Sequence, residues 1–305
     1  MRLALRALLV AVVALVATQS GAAAKTSTPR VVVPESAVFW NLHDGLFAGG
    51  RVVERTNNGG RTYRVVLRTR RSVYFLQTVG PRGALVAAYS GETWRTLDGG
   101  RTWQRAPSQP TADWLNPRVG LRFHGYTGHD RGGLAMFVTH DGGRTWQRGR
   151  TPCESPDIGF HAYADLVTPT SWWVVCVGEG GAGNEDKAIY RTQNGGKTWE
   201  GGAAAVRERE RGGVSSYGYP EALAFAPDGW GLLTESRGTL YVSRDGGAHF
   251  RAEPHVARPE TDFAGGAAAF RGGTGYVLLT NFAGARLIET HDYGRTWNVV
   301  RRWRS

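Results

Sequence analysis

Short apolar runs separated by glycine-containing turns recur along this chain. Two stretches show the pattern well. The first contains the runs Glu221–Phe225, Trp230–Thr234 and Gly238–Ser243. The second contains Ala267–Phe270, Gly275–Leu279 and Arg286–Glu289. Runs of this length, rich in aliphatic and aromatic residues and bounded by turns, predict β-strands. Since no segment keeps a helical period, the pattern predicts an all-β protein.

Each group of three runs ends in the same eight-residue motif. Residues 96–103 read Thr-Leu-Asp-Gly-Gly-Arg-Thr-Trp, and close copies occupy 139–146, 192–199 and 290–297, with degenerate copies at 56–63 and 243–250. The third position of each copy is acidic or Asn: Asn58, Asp98, Asp141, Asn194, Asp245 and Asp292. The intervals of 40, 43, 53, 51 and 47 residues match a four-stranded propeller blade.

The motif has a structural explanation. An Asp or Asn side chain accepts hydrogen bonds from the backbone of its own turn. The glycines supply the positive φ of a tight hairpin, and the closing aromatic residue is expected to be buried between neighbouring sheets. Because Asn replaces Asp in two of the six copies, hydrogen bonding and not charge is the shared property. We therefore interpret these residues as structural.

Six such repeats predict a six-bladed β-propeller in residues 36–305, with seven blades as the alternative. Residues 25–35 are then a linker or a closing strand. The ring closes with little or no strand exchange, or by pairing of Val31–Val33 with the last blade.

Residues 1–24 have the features of a secretory signal peptide: Arg2 and Arg6, an apolar run over 7–17, and Ala22-Ala23-Ala24. The apolar run is shorter than a membrane span. We expect export from the cytoplasm and cleavage before Lys25, which lowers the formal net charge from +11 to +9, with an uncleaved anchor as the alternative. A basic surface attracts anionic partners.

Cys153 and Cys176 are the only cysteines. An exported chain can keep a disulfide, so we expect them to be bridged, with two free buried thiols as the alternative. The chain has no C-x-x-C or H-x-x-x-H spacing, and we expect no metal site and no cofactor.

The repeated motif is identified as the Asp-box, or bacterial neuraminidase repeat. The chain resembles the Asp-box propeller superfamily over residues 36–303. Sialidases, xyloglucanases, sortilin-type receptors and photosystem II assembly factors share the motif. The strand pattern is most similar to the photosystem II assembly and stability factors and to related exported propellers, which implies a non-enzymatic scaffold that holds another protein.

The resemblance to sialidases is weaker. Their Arg-Ile-Pro motif has its nearest counterpart in Arg30-Val31-Val32-Val33-Pro34, where the spacing differs. This departure leaves the carboxylate-binding arginines of that family unassigned here.

Topology separates two faces of the ring. The six Asp-boxes lie on one, which we call the Asp-box face. The loops between blades, and those joining strands two and three, lie on the other, which we call the loop face, where propellers usually place their sites. Its long polar loops are 126–131, 151–157, 179–187 and 207–221.

Candidate residues on the loop face follow from these loops. The enzyme-like candidates are Tyr217, Tyr219, Glu221, Glu235 and Asp186, because a Tyr–Glu pair attacks sugars in sialidases and two facing carboxylates can cleave glycosides. The alternative is that Tyr219-Pro220-Glu221 simply opens an inner strand. The candidate binding residues are Arg237, Glu179, His129 and Asp130. The Arg-Glu alternation at 207–211 is interpreted as a solvated loop.

A second candidate is a basic edge. Arg68, Arg70 and Arg71 leave the first blade, and Arg301, Arg302 and Arg304 leave the last. Ring closure should bring the two groups close together.

The sequence thus favours a monomeric, non-catalytic scaffold outside the cytoplasm. It would recognise a protein, a glycan or an anionic surface, and no nucleic acid. The alternative is a sialidase-like glycoside hydrolase.

Overall fold

The computed structural model describes residues 32–106, 112–125, 133–207, 209–237, 239–257 and 262–304. Six small antiparallel sheets form a six-bladed β-propeller. The first three blades contain the strands β1 (Ser36–Phe39), β2 (Gly45–Gly49), β3 (Val52–Thr56) and β4 (Arg64–Arg68); β5 (Val73–Thr78), β6 (Ala84–Ala88), β7 (Thr93–Thr96) and β8 (Gln104–Arg105); and β9 (Asp113–Trp114), β10 (Gly120–His124), β11 (Ala135–Thr139) and β12 (Gln147–Gly149).

Blades four to six follow in the same order. A 3₁₀ turn (Pro156–Ile158) precedes blade four. The strands are β13 (His161–Leu166), β14 (Trp172–Val177), β15 (Lys187–Thr192), β16 (Glu200–Val206) and β17 (Arg209–Arg211); β18 (Pro220–Phe225), β19 (Gly231–Glu235), β20 (Thr239–Ser243) and β21 (Arg251–Ala252); and β22 (Phe263–Phe270), β23 (Thr274–Asn281), β24 (Gly284–Thr290) and β25 (Asn298–Arg304).

Blade four has a fifth strand that the sequence interpretation missed. β17 pairs with β16, from Arg211 opposite Ala204 to Arg209 opposite Val206. The interpretation of this Arg-Glu stretch as a loop was therefore wrong. Alternating charges are compatible with a strand here because β17 is an exposed edge, where Arg209, Glu210 and Arg211 all face solvent.

The second strand of each blade is sandwiched between neighbouring blades. All residues of β2, β6, β14 and β19 are buried, whereas the outer strand β4 is largely exposed. The largest fully buried side chains are Trp172, Trp173 and Trp230. Burial of large apolar side chains between sheets is the main source of stability in such a fold.

The Asp-boxes form the hairpins between third and fourth strands. In the second blade, Asp98 Oδ1 accepts from the backbone amide of Thr102 at 3.0 Å, and Oδ2 accepts from the Thr102 hydroxyl at 2.6 Å. The amide of Gly100 donates to Thr96 Oγ1 at 2.9 Å. Gly99 and Gly100 have φ values of 77° and 78°, which glycine adopts without strain.

The degenerate fifth box keeps the same bonding with different groups. His249 Nδ1 lies 2.7 Å from Asp245 Oδ2, the oxygen that receives a threonine hydroxyl elsewhere. The closing tryptophans are half-buried and pack against the apolar clusters between the sheets, as expected for this position. They lie at the margin of the sheets, while tryptophans next to or within the second strands fill the core.

The ring closes without strand exchange within the described residues, because blades one and six each consist of four consecutive strands. Side chains join them instead. The Phe39 ring stacks on Tyr276 with centroids 4.5 Å apart, and Tyr276 donates to the Leu42 carbonyl at 2.9 Å. Val33 packs against this interface without forming a strand. Within the same residues no helix is long and apolar enough to cross a membrane.

Candidate functional site

Exposed aromatic side chains concentrate on the loop face. Among the described residues, six aromatic side chains are strongly exposed: Tyr74, Tyr89, Phe160, Tyr217, Phe263 and Phe282. All six lie in inter-blade segments, in loops between second and third strands, or at the first residues of inner strands. The exposed large hydrophobic residues elsewhere, namely Leu42, Val65, Leu97 and Val299, are aliphatic. The exposed aromatic side chains of the described residues therefore lie on the face opposite the Asp-boxes.

The inner strands enclose a central channel with a volume of about 510 Å³. Its lining includes Asp113, Asp165 and Glu221. Each of these carboxylates accepts a backbone hydrogen bond from the inner strand of the next blade: Asp113 from Ala164, Asp165 from Phe225, and Glu221 from Ala264. The inner strands are thus joined by carboxylate bridges at three consecutive blade interfaces.

Burial changes the acidity of these groups. Loss of hydration raises the pKa of Asp113, Asp165 and Glu221 to about 7 in each case, against the lowering effect of the backbone hydrogen bonds. For Asp113 the negative charge of Asp165 raises the pKa further. The cause is that a carboxylate buried in the channel wall is poorly solvated.

A buried ion pair lies between blades four and five. The Lys187 ammonium donates to Glu235 Oε1 and to the Gly218 carbonyl, both at 2.8 Å, and neither charged side chain is exposed. The second oxygen of Glu235 is buried and has no hydrogen-bond partner among the described residues. Burial raises the pKa of Glu235, while Lys187 opposes the rise.

The loops above this pair are held by backbone hydrogen bonds. The amide of Glu185 donates to the Ser216 carbonyl, and Gly218 donates to Gly183, both at 2.8 Å. The Tyr219 hydroxyl accepts from the Gly183 amide at 3.0 Å. Loop 179–186 and segment 215–219 therefore form one unit.

Two non-glycine residues near this unit have left-handed backbone conformations. Ala182 has a φ of 51° and Arg237 a φ of 69°. The Arg237 guanidinium lies 5.2 Å from the Tyr217 ring centroid and donates to the Tyr217 hydroxyl at 3.1 Å. Uncommon backbone conformations of this kind cluster at functional sites.

A disulfide holds the neighbouring inter-blade segment. Cys153 and Cys176 are bonded, as expected from the sequence, with a Cα–Cα distance of 5.5 Å. Both cysteines are fully buried. The bridge links the segment before blade four to the end of β14, close to the start of loop 179–186.

The structure places the enzyme-like candidates in different environments. Glu221 lines the channel. Tyr219 packs under loop 179–186, and Tyr217 is exposed at the surface. Glu235 is a buried strand residue bonded to Lys187, and Asp186 accepts from the Arg207 amide, so each of these two carboxylates has a partner of its own.

The binding candidates are less clustered. Glu179 and Arg237 lie on the loop face, and His129 and Asp130 lie outside the described residues. At the basic edge, Arg70 is paired with Glu92 at 3.5 Å, while Arg68 and Arg71 are exposed. Arg302 and Arg304 are exposed too, and Arg301 packs on the Tyr63 and Trp303 rings.

Sequence reasoning missed several residues of the site. Asp113, Asp165 and Tyr163 line the channel, and Lys187 was assigned to a loop although it is the first, fully buried residue of β15. For Asp165 the sequence did contain a signal, because this residue is a carboxylate within an otherwise largely apolar inner strand. The exposed aromatic residues carried no signal of their own, because apolar residues in strand-rich sequences are usually buried.

The comparisons agree with this architecture. The BNR/Asp-box repeat family matches residues 137–148, which contain the third Asp-box. No curated protein matches the sequence. Among solved structures, the SapL1 lectin in complex with α-methyl fucoside is 13% identical, with a TM-score of 0.55, over 88% of this chain and 94% of the lectin.

Two further structures are similar. The Aleuria aurantia lectin AAL, in a complex with Fucα1-6GlcNAc, is 11% identical with a TM-score of 0.54, over 88% of this chain and 94% of that one. YCF48 from Cyanidioschyzon merolae is 16% identical with a TM-score of 0.48, over 90% and 86%. At these identities the lectins show a shared propeller fold. The chain is thus a six-bladed β-propeller in which Asp-box motifs form hairpins.

Proposed function

We propose that this protein is a non-catalytic binding scaffold that holds a protein or glycan partner on its loop face. One observation carries the proposal: all six strongly exposed aromatic side chains in the described residues lie on that face. Exposed aromatic groups are costly in water and are enriched where partners bind, because they bury a large area at a small entropic cost.

The loop face is also preorganised. The disulfide fixes segment 151–157, and loop 179–186 is bonded to segment 215–219. A surface that is ordered before binding does not lose that freedom on association, so more of the contact energy appears as affinity. The two lectins of similar fold were solved with fucosides, so a binding role is compatible with this architecture.

A selection experiment tests this proposal. A glycan array and a displayed random peptide library would be screened with the protein lacking residues 1–24. We expect selected ligands to lose at least tenfold in affinity for a Tyr89→Ser/Phe160→Ser variant on the loop face. They should bind unchanged to a matched Leu97→Ser/Val299→Ser variant away from it. Ligands that respond only to the second variant would overturn the proposal.

Export is part of the proposal, and it rests on the sequence of residues 1–24. Expression of the full chain in a bacterial host, followed by fractionation and N-terminal sequencing, tests it. A cleaved chain that begins near Lys25 outside the cytoplasm is the expected result. An intact chain in the cytoplasm would contradict it.

A glycoside hydrolase is the second candidate function. Burial raises the pKa of Glu185 and of Glu221 to about 7. Burial, and after it the charges of these two carboxylates, raises the pKa of Tyr163. A carboxyl group with a pKa near neutrality can act as a general acid. Turnover of sialosides or aryl glycosides that is abolished by Glu221→Gln would replace the scaffold proposal with this one.

A further inference from the structure

The central channel is acidic although the protein as a whole is strongly basic. The chain has a formal net charge of +11. The channel lining contains Glu35, Asp113, Asp165 and Glu221, and no Lys, Arg or His is among the described residues that line it. The sign of the charge in the channel is thus opposite to that of the molecule, which makes it selective for cations over anions.

Two of these carboxylates retain acceptor capacity. Asp165 bonds the Phe225 amide through Oδ2, and Glu221 bonds the Ala264 amide through Oε2. No hydrogen bond from the described residues reaches Asp165 Oδ1 or Glu221 Oε1 in the structure. Since the backbone bonds hold both carboxylates in place, the remaining oxygens are preorganised to accept from a ligand.

Aromatic side chains accompany the carboxylates. Tyr74 and Tyr163 line the same channel, and Tyr74 packs beside the highly exposed Tyr89 with ring centroids 4.9 Å apart. The faces of aromatic rings attract cations, and Arg side chains more often than Lys. Carboxylates inside and aromatic rings at the mouth are together the chemistry of a cation site.

We infer that the partner held on the loop face is a protein that inserts an arginine side chain of an extended segment into the central channel. The guanidinium has five donors in a planar arrangement that suits carboxylate oxygens and stacks on aromatic rings. A volume of about 510 Å³ leaves room for one such side chain with several waters. The exposed aromatic residues around the mouth would contact the rest of the segment. This inference rests on the proposed function and names its partner class.

Fluorescent peptide pools test the inference. Three pools of equal length are randomised around a central Arg, a central citrulline, which is its uncharged isostere, or a central Glu. Titrations are run at low ionic strength and pH 8, above the raised pKa values of Asp165 and Glu221. The Arg pool should bind at least tenfold more tightly than the citrulline pool, and the Glu pool most weakly. Equal affinity for the Arg and citrulline pools would overturn the inference.

Variants locate the binding site. Glu221→Gln and Asp165→Asn each keep an oxygen that accepts the backbone amide, so the fold should be retained, which circular dichroism checks. Each should lower the affinity for the Arg pool at least fivefold. Glu200→Gln, at an exposed position on β16, the fourth strand of its blade, is the matched control and should leave this affinity unchanged. An equal loss in the control variant would show a general charge effect and contradict the inference.

Failure of this inference is distinguishable from failure of the scaffold proposal. Suppose that ligands selected on the loop face depend on Tyr89 and Phe160 but are neutral or anionic. The cation site is then wrong, and the scaffold proposal stands. Glycan ligands with the same dependence on Tyr89 and Phe160 would likewise overturn the cation site and leave the scaffold proposal in place.

Discussion

The Glu221 carboxylate of blade five accepts a hydrogen bond from the backbone amide of Ala264 in blade six. Asp165 does the same for Phe225 one blade earlier, and Asp113 for Ala164 one blade before that. An inner strand faces the channel and cannot pair with the next inner strand along its whole length. A carboxylate bridge therefore satisfies an amide that would otherwise lack a partner, at the cost of a poorly hydrated acid.

The poor hydration of these bridging acids predicts how stability depends on pH. The folded-state pKa of Asp113, Asp165 and Glu221 is about 7, above the value near 4 expected when unfolded. The folded protein therefore binds more protons between pH 4 and pH 7, and its stability falls as pH rises through that window. We expect the melting temperature to be several degrees lower at pH 8 than at pH 5.5, measured by calorimetry.

An Asp165→Asn variant is the control for this effect. The amide side chain keeps an acceptor for Phe225 but does not titrate. The difference in melting temperature between pH 5.5 and pH 8 should shrink in this variant. A protein that is more stable at pH 8 than at pH 5.5 would contradict the assignment of raised pKa values to the channel carboxylates.

The disulfide should contribute to stability. It joins two residues 23 positions apart in the sequence, for which the chain-entropy estimate is about 3 kcal/mol. A Cys153→Ser/Cys176→Ser variant should therefore unfold at a lower denaturant concentration than the oxidised protein. Reduction of the native protein should give a similar loss, and identical midpoints with and without reductant would refute the contribution.

Substitutions of Lys187 and Glu235 should have non-additive effects on the free energy of unfolding. Lys187→Met leaves the Glu235 carboxyl buried without its partner and should cost about 3–5 kcal/mol. A double variant, Lys187→Met/Glu235→Leu, removes both charges and should recover most of that loss. Urea unfolding of Lys187→Met, of Glu235→Leu and of the double variant measures the departure from additivity. A double variant as unstable as the sum of the single changes would show that the two residues act independently.

The Asp-boxes should tolerate Asn but not Ala. Asn58 bonds the Thr62 amide at 2.9 Å just as Asp98 bonds the Thr102 amide. Asp98→Asn should therefore be almost neutral, whereas Asp98→Ala leaves turn amides without a partner and should cost about 1–3 kcal/mol. Chemical denaturation compares the two variants, and equal losses would mean that charge matters at this position.

The repeats made the fold predictable. Six copies of one hairpin motif at the period of a blade specify the architecture, because the residues within each copy determine one turn of one blade. The bridge between Cys153 and Cys176 was predictable too, since only two cysteines are present. The Asp-box turns are encoded by residues close in sequence, and two cysteines allow only one pairing.

The channel and the aromatic surface were not predictable in this way. Asp165 and Phe225 are 60 residues apart, and only the ring brings them together. Lys187 looked like a loop residue because its partner, Glu235, lies 48 residues further along. Likewise, nothing in the sequence distinguishes the exposed Tyr89 from the aromatic residues that fill the core.

The central claim is that the partner binds to the aromatic loop face. An affinity titration of a selected ligand against three proteins tests it most directly: the unchanged protein, Tyr89→Ser/Phe160→Ser, and Leu97→Ser/Val299→Ser. We predict a dissociation constant at least tenfold larger for the first variant and no change for the second. Unchanged affinity in the first variant, with a loss in the second, would place the binding surface elsewhere and contradict the claim.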